Sequence, residues 1–263
     1  MELPNLNLKG EKPLDRLLSN GGFCAIFRRI AVIGDSLSSG EFQARTENGE
    51  FTYHDFYEYS WGQYLARMTG STVYNFSRGG MTAKEYCETF ADGQGFWNRE
   101  KVCQAYIFAL GVNDLIVRKE QTGELSDVDF LNPENNRKSF AGYFAKIIQK
   151  YRQLQPNAKF FLVTMPRSED ESENAIKKSH AELMYQFAEK FPHTYVIDLY
   201  QYAPVYDEAF RKAYYLYGHM SPCGYLLTAK MIASYIDYIV RSDMDAFKQV
   251  AFIGTPQYQE KIS

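Results

Sequence analysis

Short apolar runs closed by turn residues recur along this chain, separated by stretches with helical spacing. Five of them, RIAVIG (29–34), STVYNFS (71–77), AYIFALG (105–111), KFFLVTM (159–165) and TYVIDL (194–199), have the length and near-continuous hydrophobicity of strands buried on both faces. Between them, Phe140, Phe144, Ile147, Ile148, Tyr151 and Leu154 recur at three- and four-residue steps and predict a helix within 133–154, stopped by Pro156. From residue 221, Ser221 is suited to cap a helix and Pro222 to open it. Tyr225, Ala229, Ile232, Ile236 and Ile239 then form the buried stripe. Strands alternating with helices imply right-handed βαβ crossovers. The expected fold is a three-layer α/β/α, flavodoxin-like domain around a central, mostly parallel five-stranded sheet.

In such a sheet, sites form beyond the carboxyl ends of the strands. Ser36, the segment Asn75 to Gly80, Asn113 and the loop after Asp198 all fall there. No internal repeat or low-complexity linker divides the chain. We therefore expect one domain over 29–240, an N-terminal extension over 1–28 packed on it, and a C-terminal tail over 241–263.

Composition narrows the classes. The 29 basic and 32 acidic residues leave a formal net charge of -3, which offers no electrostatic footprint for nucleic acid or an anionic membrane. No apolar run reaches the about 18 residues of a membrane span. The N-terminus lacks the apolar core of a signal peptide, so the chain as given reads as cytoplasmic; a leader already removed would make it periplasmic or secreted. Four scattered cysteines, Cys24, Cys87, Cys103 and Cys223, suggest buried thiols rather than a disulfide framework or a zinc site. With no carboxylate–histidine helix pair, Walker A loop or dinucleotide fingerprint, neither metal nor cofactor is expected. The oligomeric state is not legible. Aromatic residues, at 16%, are the unusual item.

The chemistry concentrates where the first strand breaks. Gly34, Asp35 and Ser36 together can be a strand-to-helix turn with Asp or Ser as cap, or they can present a nucleophile. RGG and GVND further along can likewise be ordinary turns. In order, however, GDSLSSGE (34–41), NFSRGGMT (75–82), ALGVND (109–114) and GHMSPCGY (218–225) offer a hydroxyl, a close-approach glycine, an amide donor and an imidazole at successive strand ends. These four blocks resemble those of the SGNH, or GDSL, hydrolase superfamily.

The resemblance implies that Ser36 is the nucleophile and His219 the general base and later acid. The backbone N–H groups of Ser36 and Gly80 and the side-chain amide of Asn113 would form the oxyanion hole, with Asp114 holding its loop. The family pattern puts Asp three residues before the histidine, where this chain has Leu216. An acceptor must still fix the imidazole tautomer. The backbone carbonyl of Leu216 is the first candidate, with Asp198 and Asp207 as carboxylate alternatives. His54, His180 and His193 read as solvated or structural. The pattern G-x-S-x-G fails because Ser38 occupies its last position, which argues against an α/β-hydrolase elbow.

The family's substrates include acetylated sugars, lysophospholipids and acyl thioesters. Two aromatic clusters point within that range: Phe51, Tyr53, Phe56, Tyr57, Tyr59 and Trp61, and Tyr214, Tyr215 and Tyr217 before His219. Rings beside a catalytic centre can stack on sugar faces and hydrogen-bond at their tips. The expected substrate is a small ester, a short acyl group on a carbohydrate-like alcohol. An acyltransferase with the same residues, a lysophospholipase or thioesterase, and a carbohydrate-binding module that has lost catalysis are the rival readings.

Overall fold

The computed structural model describes residues 6–259. The outer ends of both extensions, 1–5 and 260–263, lie outside the described residues. The strands are β1 (Arg29–Gly34), β2 (Glu41–Arg45), β3 (Phe51–Asp55), β4 (Thr72–Ser77), β5 (Ala105–Ala109), β6 (Lys159–Val163), β7 (Thr194–Ile197), β8 (Tyr215–Leu216) and β9 (His219–Met220). Five of these form one parallel sheet in the order β4-β1-β5-β6-β7. All five strands expected from the apolar runs are present. The chain steps from β1 out to β4 and back past β1 to β5, so the order reverses beside β1, and the crevice at that switch lies at the carboxyl end of β1.

Alternation within each strand builds the three layers. Ala31 and Ile33 of β1, with Tyr106 and Phe108 of β5, face a core shared with the Phe140–Leu154 helix. Ile30 and Val32, with Ala105 and Ile107, face the opposite core, shared with the Trp61–Thr69 and Pro222–Ser242 helices. Both faces of the sheet are thus dry, as a parallel sheet requires.

The helix expected within 133–154 begins at Phe140, capped by Ser139, whose Oγ accepts from the Gly142 N–H. Residues 133–135 form a separate single turn, because Asn132 caps it and Asn136 ties it to Gly142 and Gln149. Ser221 caps the last long helix and Pro222 opens it, as the sequence suggests. The N-terminal segment packs against that helix. Glu11 pairs with Arg241, which also holds Asp237, and the Phe23 N–H donates to Asp237. No helix among the described residues is long and apolar enough to cross a membrane.

Two small hairpins depart from the expected loops. The aromatic stretch after the first block is strand β3, paired antiparallel to β2 through a turn containing Asn48 and Gly49. The second hairpin, β8–β9, sets Leu216 opposite His219. A two-stranded ribbon is marginal alone. Here each supports the other: Gln43 accepts from the Gly218 N–H at 2.6 Å, and Phe42 is buried against Tyr225.

The core facing β5 contains two fully buried tyrosines whose hydroxyls meet at 2.6 Å, Tyr86 and Tyr151. Removing one partner strands the other in an apolar setting at a cost of about 1–3 kcal/mol, whereas removing both restores balance. Thermal unfolding should therefore show Tyr151→Phe melting roughly 2–10 °C lower than wild type. The double variant Tyr86→Phe/Tyr151→Phe should recover most of the loss; equal losses would show that the hydroxyl pair is not the cause.

Candidate active site

Each of the four blocks contributes one group at the carboxyl end of the sheet. Asp35 follows β1 and caps the single helical turn Ser36–Ser39, accepting from the Leu37 N–H at 3.1 Å. That cap places Ser36 at the first position of the turn, partly exposed, with its own N–H unengaged among the described residues. Ser38 is buried and accepts from the Trp61 indole at 3.3 Å. Ser39 Oγ lies 3.2 Å from the Ser36 carbonyl and 3.0 Å from Asp55 Oδ1, which ties the turn to the end of β3.

After β4, Gly80 has φ +69, and a side chain added there would meet nothing within 4 Å, so the approach to its amide is open. After β5 comes Gly111 at φ +132, where a Cβ would crowd the His180 ring. From this kink the chain enters a π-helical turn, Val112–Val117, which turns Asn113 back towards β1. The Asn113 amide donates to the Met81 carbonyl at 3.2 Å and to Asp35 Oδ2 at 3.3 Å. Asp114, fully buried, accepts from the Ala83 N–H at 2.8 Å and so joins the β5 loop to the β4 loop.

Ser36, Asn113 and His219 line one cavity of about 360 Å³. Gly80 is not among the residues that line it; its carbonyl accepts from Arg118. The Ser36 hydroxyl makes no hydrogen bond to the imidazole. Instead His219 Nε2 stands 3.0 Å from Glu41 Oε1, and Nδ1 is buried with no hydrogen-bond partner among the described residues.

Burial governs the electrostatics. It pushes Asp35 up to about 6, against the hydrogen bond from Leu37, and Asp114 up to about 7, against that from Ala83. Burial also raises Glu41, with the Asp55 charge adding to it. The His219 imidazole is held below its ordinary value by burial, Asp55 pulling the other way.

A sequence profile of the GDSL-like Lipase/Acylhydrolase family matches residues 32–227, which contain all of these groups. The chain belongs to this family. Membership makes it an ester-hydrolysing enzyme, and the fold agrees. A family two carbohydrate esterase from Clostridium thermocellum, solved with cellohexaose, is 15% identical with a TM-score of 0.58 over 83% of this chain and 65% of that one. A family 2 carbohydrate esterase from Corynascus, 18% identical, gives a TM-score of 0.53 over 80% and 65%. A carbohydrate acetylesterase from Sinorhizobium meliloti, 14% identical, gives 0.52 over 81% and 99%. This chain thus spans about two thirds of the two family 2 enzymes. A search of curated protein sequences returned no significant match.

Within this GDSL-family site, the candidates for orienting His219 require correction. Asp198 is buried and spent elsewhere: Oδ1 accepts from Thr164 and the Gln201 N–H, and Oδ2 from Tyr185. Asp207 caps the Glu208–Tyr214 helix through the Phe210 N–H. The Leu216 carbonyl makes no bond to Nδ1, and the Leu216 side chain is exposed. Glu41, which the sequence reading passed over, is the carboxylate at the imidazole. It stands in the quoted block GDSLSSGE, but its position there signals nothing until β2 is seen to dock on β9. Cys223 is also corrected, being exposed, while the other three cysteines are buried.

A His219 that serves as the base the sequence suggests must be neutral to accept a proton, and burial favours the neutral form. The acid limb of kcat/KM should consequently lie below pH 6.5, the ordinary imidazole value. A pH–rate profile with p-nitrophenyl acetate checks this, and a limb above pH 6.5 contradicts it.

Proposed function

We propose that this GDSL-family hydrolase cleaves short-chain, acetyl-type esters of carbohydrate-like alcohols through an acyl-enzyme on Ser36. Ser36 Oγ attacks the ester carbonyl and its proton passes to His219. The oxyanion is received by the N–H groups of Ser36 and Gly80 and by the Asn113 amide, which exchanges one of its long bonds to Asp35 or Met81 for the new one. The imidazolium returns the proton to the leaving alcohol. Water then repeats the sequence on the acyl-enzyme and releases the acid.

The observation that carries the substrate class is an exposed aromatic face bordering the histidine. The Tyr53 ring meets His219 edge-on at 5.8 Å between centroids, and Phe51 packs on Tyr217 at 5.6 Å. These three rings remain 45–57% exposed, and Arg45 lies over both Phe51 and Tyr217. Rings locked by packing yet open to solvent suit the flat face of a sugar, and the Tyr53 hydroxyl, which accepts from the Gln43 amide at 3.3 Å, keeps its own proton to donate to a sugar oxygen. The carbohydrate esterases among the structural neighbours, one of them an acetylesterase, support the same direction.

Hydrolysis of p-nitrophenyl acetate and of acetylated oligosaccharides by wild type should exceed that of the octanoate ester. Ser36→Ala should abolish turnover with the fold intact by circular dichroism. Asn113→Ala should lower kcat roughly 10²- to 10³-fold with little change in KM. A preference for long acyl chains would favour a lipase reading, and acetyl appearing on an added sugar rather than on water would identify a transferase.

A further inference from the structure

We infer that Glu41 is the positioning residue of His219, and that it holds the ring by Nε2, leaving Nδ1 as the base that faces Ser36. This rests on the ester-hydrolase reading and reverses the usual triad, in which Nδ1–H meets the carboxylate and Nε2 serves the hydroxyl.

Three observations carry the assignment. First, an ionised carboxylate can only accept, so the ring nitrogen 3.0 Å from Glu41 Oε1 is the one that bears hydrogen. A neutral imidazole then has its lone pair on the other nitrogen. Second, that other nitrogen, Nδ1, is buried without a partner, in a ring that lines the same cavity as Ser36. A buried, unpaired ring nitrogen is costly in either state, and one that carries a lone pair awaiting the serine proton is what a base requires. Third, the backbone that carries Glu41 and the loop that carries His219 are tied in place. The Tyr225 hydroxyl donates to the Glu41 carbonyl at 2.6 Å, and the Gly218 N–H next to the histidine donates to Gln43. A Cβ at Gly79 would meet the Glu41 carboxylate and displace it from this position.

The charge step balances without moving a proton onto Glu41. As the Ser36 Oγ–carbon bond forms, the hydroxyl proton goes to Nδ1, and the imidazolium is stabilised through Nε2–H by the Glu41 carboxylate. As the ester C–O bond breaks, Nδ1–H protonates the leaving alcohol. Other groups facing the ring are Asp55 and Tyr53 from β3, Asp35 from the turn after β1, Tyr215 from β8 and Arg211 on the cavity wall. Glu41, unlike these, stands in hydrogen-bond range of the ring.

The test combines a spectroscopic and a kinetic reading. In wild type labelled with ¹⁵N-histidine at pH 8, His219, assigned from the spectrum of His219→Gln, should show the Nε2–H tautomer. Glu41→Gln replaces the charge by an amide that can donate to Nε2 as well as accept from Nε2–H, so the Nδ1–H tautomer should become populated. Its kcat for p-nitrophenyl acetate should fall roughly 10²- to 10⁴-fold with KM little changed. Its residual activity should have an acid limb at lower pH, because the imidazolium has lost its carboxylate. Glu41→Asp should recover part of kcat. An Nδ1–H tautomer in wild type overturns the inference even if Glu41→Gln fails to fold. So does a folded Glu41→Gln that keeps more than about a tenth of kcat. In both cases the esterase reading survives, since that reading fails on a different result, a wild type that turns over no ester.

Discussion

The site depends on the register of β1 between two parallel neighbours. Gly34 sits opposite Ser77 of β4 and Ala109 of β5, so three chains leave the sheet at one level. Parallel hydrogen bonding commits every loop that follows a strand to the same edge. From that level the β1 chain needs only two residues to reach the cavity at Ser36 and the β5 chain four at Asn113, while Gly80 follows three residues after β4. The residues that close these exits are turn formers with specific tasks. Asp35 caps, Gly111 kinks at φ +132, and Asp114 and Asn113 bond across to the neighbouring loops. The strands position the chemistry because they leave the loops little freedom.

Burial gives that edge its electrostatic character. Asp35 and Asp114 are nearly inaccessible, and both are raised towards neutrality by desolvation. Glu41 and His219 are less deeply covered, with side chains 15% and 14% exposed. Desolvation therefore works on a pair that can still exchange with water and substrate. A carboxylate raised by burial and an imidazole lowered by it are displaced towards each other's range.

Much of the fold was legible because it is written in local periods. The five apolar runs became the five sheet strands, and the spacing from Tyr225 onwards became the last long helix. The gathering of Ser36, Asn113 and His219 at one cavity was legible from block order at strand ends. The two hairpins were not, since β8 and β9 are two residues each and carry no period, and the aromatic density of β3 reads equally well as a loop. Asp198 and Asp207 looked like candidate partners because position along the chain says nothing of what a carboxylate already accepts. Both are committed to helix caps. Glu41 was missed for the complementary reason. Its partner lies 178 residues away, and only the docking of β2 on β9 brings them within 3.0 Å.

That docking also explains how the chain can do without an acid three residues before the histidine. Leu216 is the cross-strand neighbour of His219, but its side chain is exposed, and nothing in the β8–β9 ribbon turns it towards the ring. The carboxylate comes instead from the segment that begins with the nucleophile: Ser36, one helical turn, then Glu41 at the start of β2. Ser36, the proposed nucleophile, and Glu41 are thus separated by a single turn, braced by Ser39 against Asp55 and capped by Asp35. A displacement of that turn would move both groups together. The imidazole is then the piece that must be brought to them, and the contacts of Gln43 with Gly218 and of Tyr225 with Glu41 bring it. The β2–β3 hairpin thus carries both Glu41, which meets the imidazole, and the exposed Phe51 and Tyr53 rings, so under the proposed function changes to substrate recognition and to proton transfer would be coupled through one small ribbon.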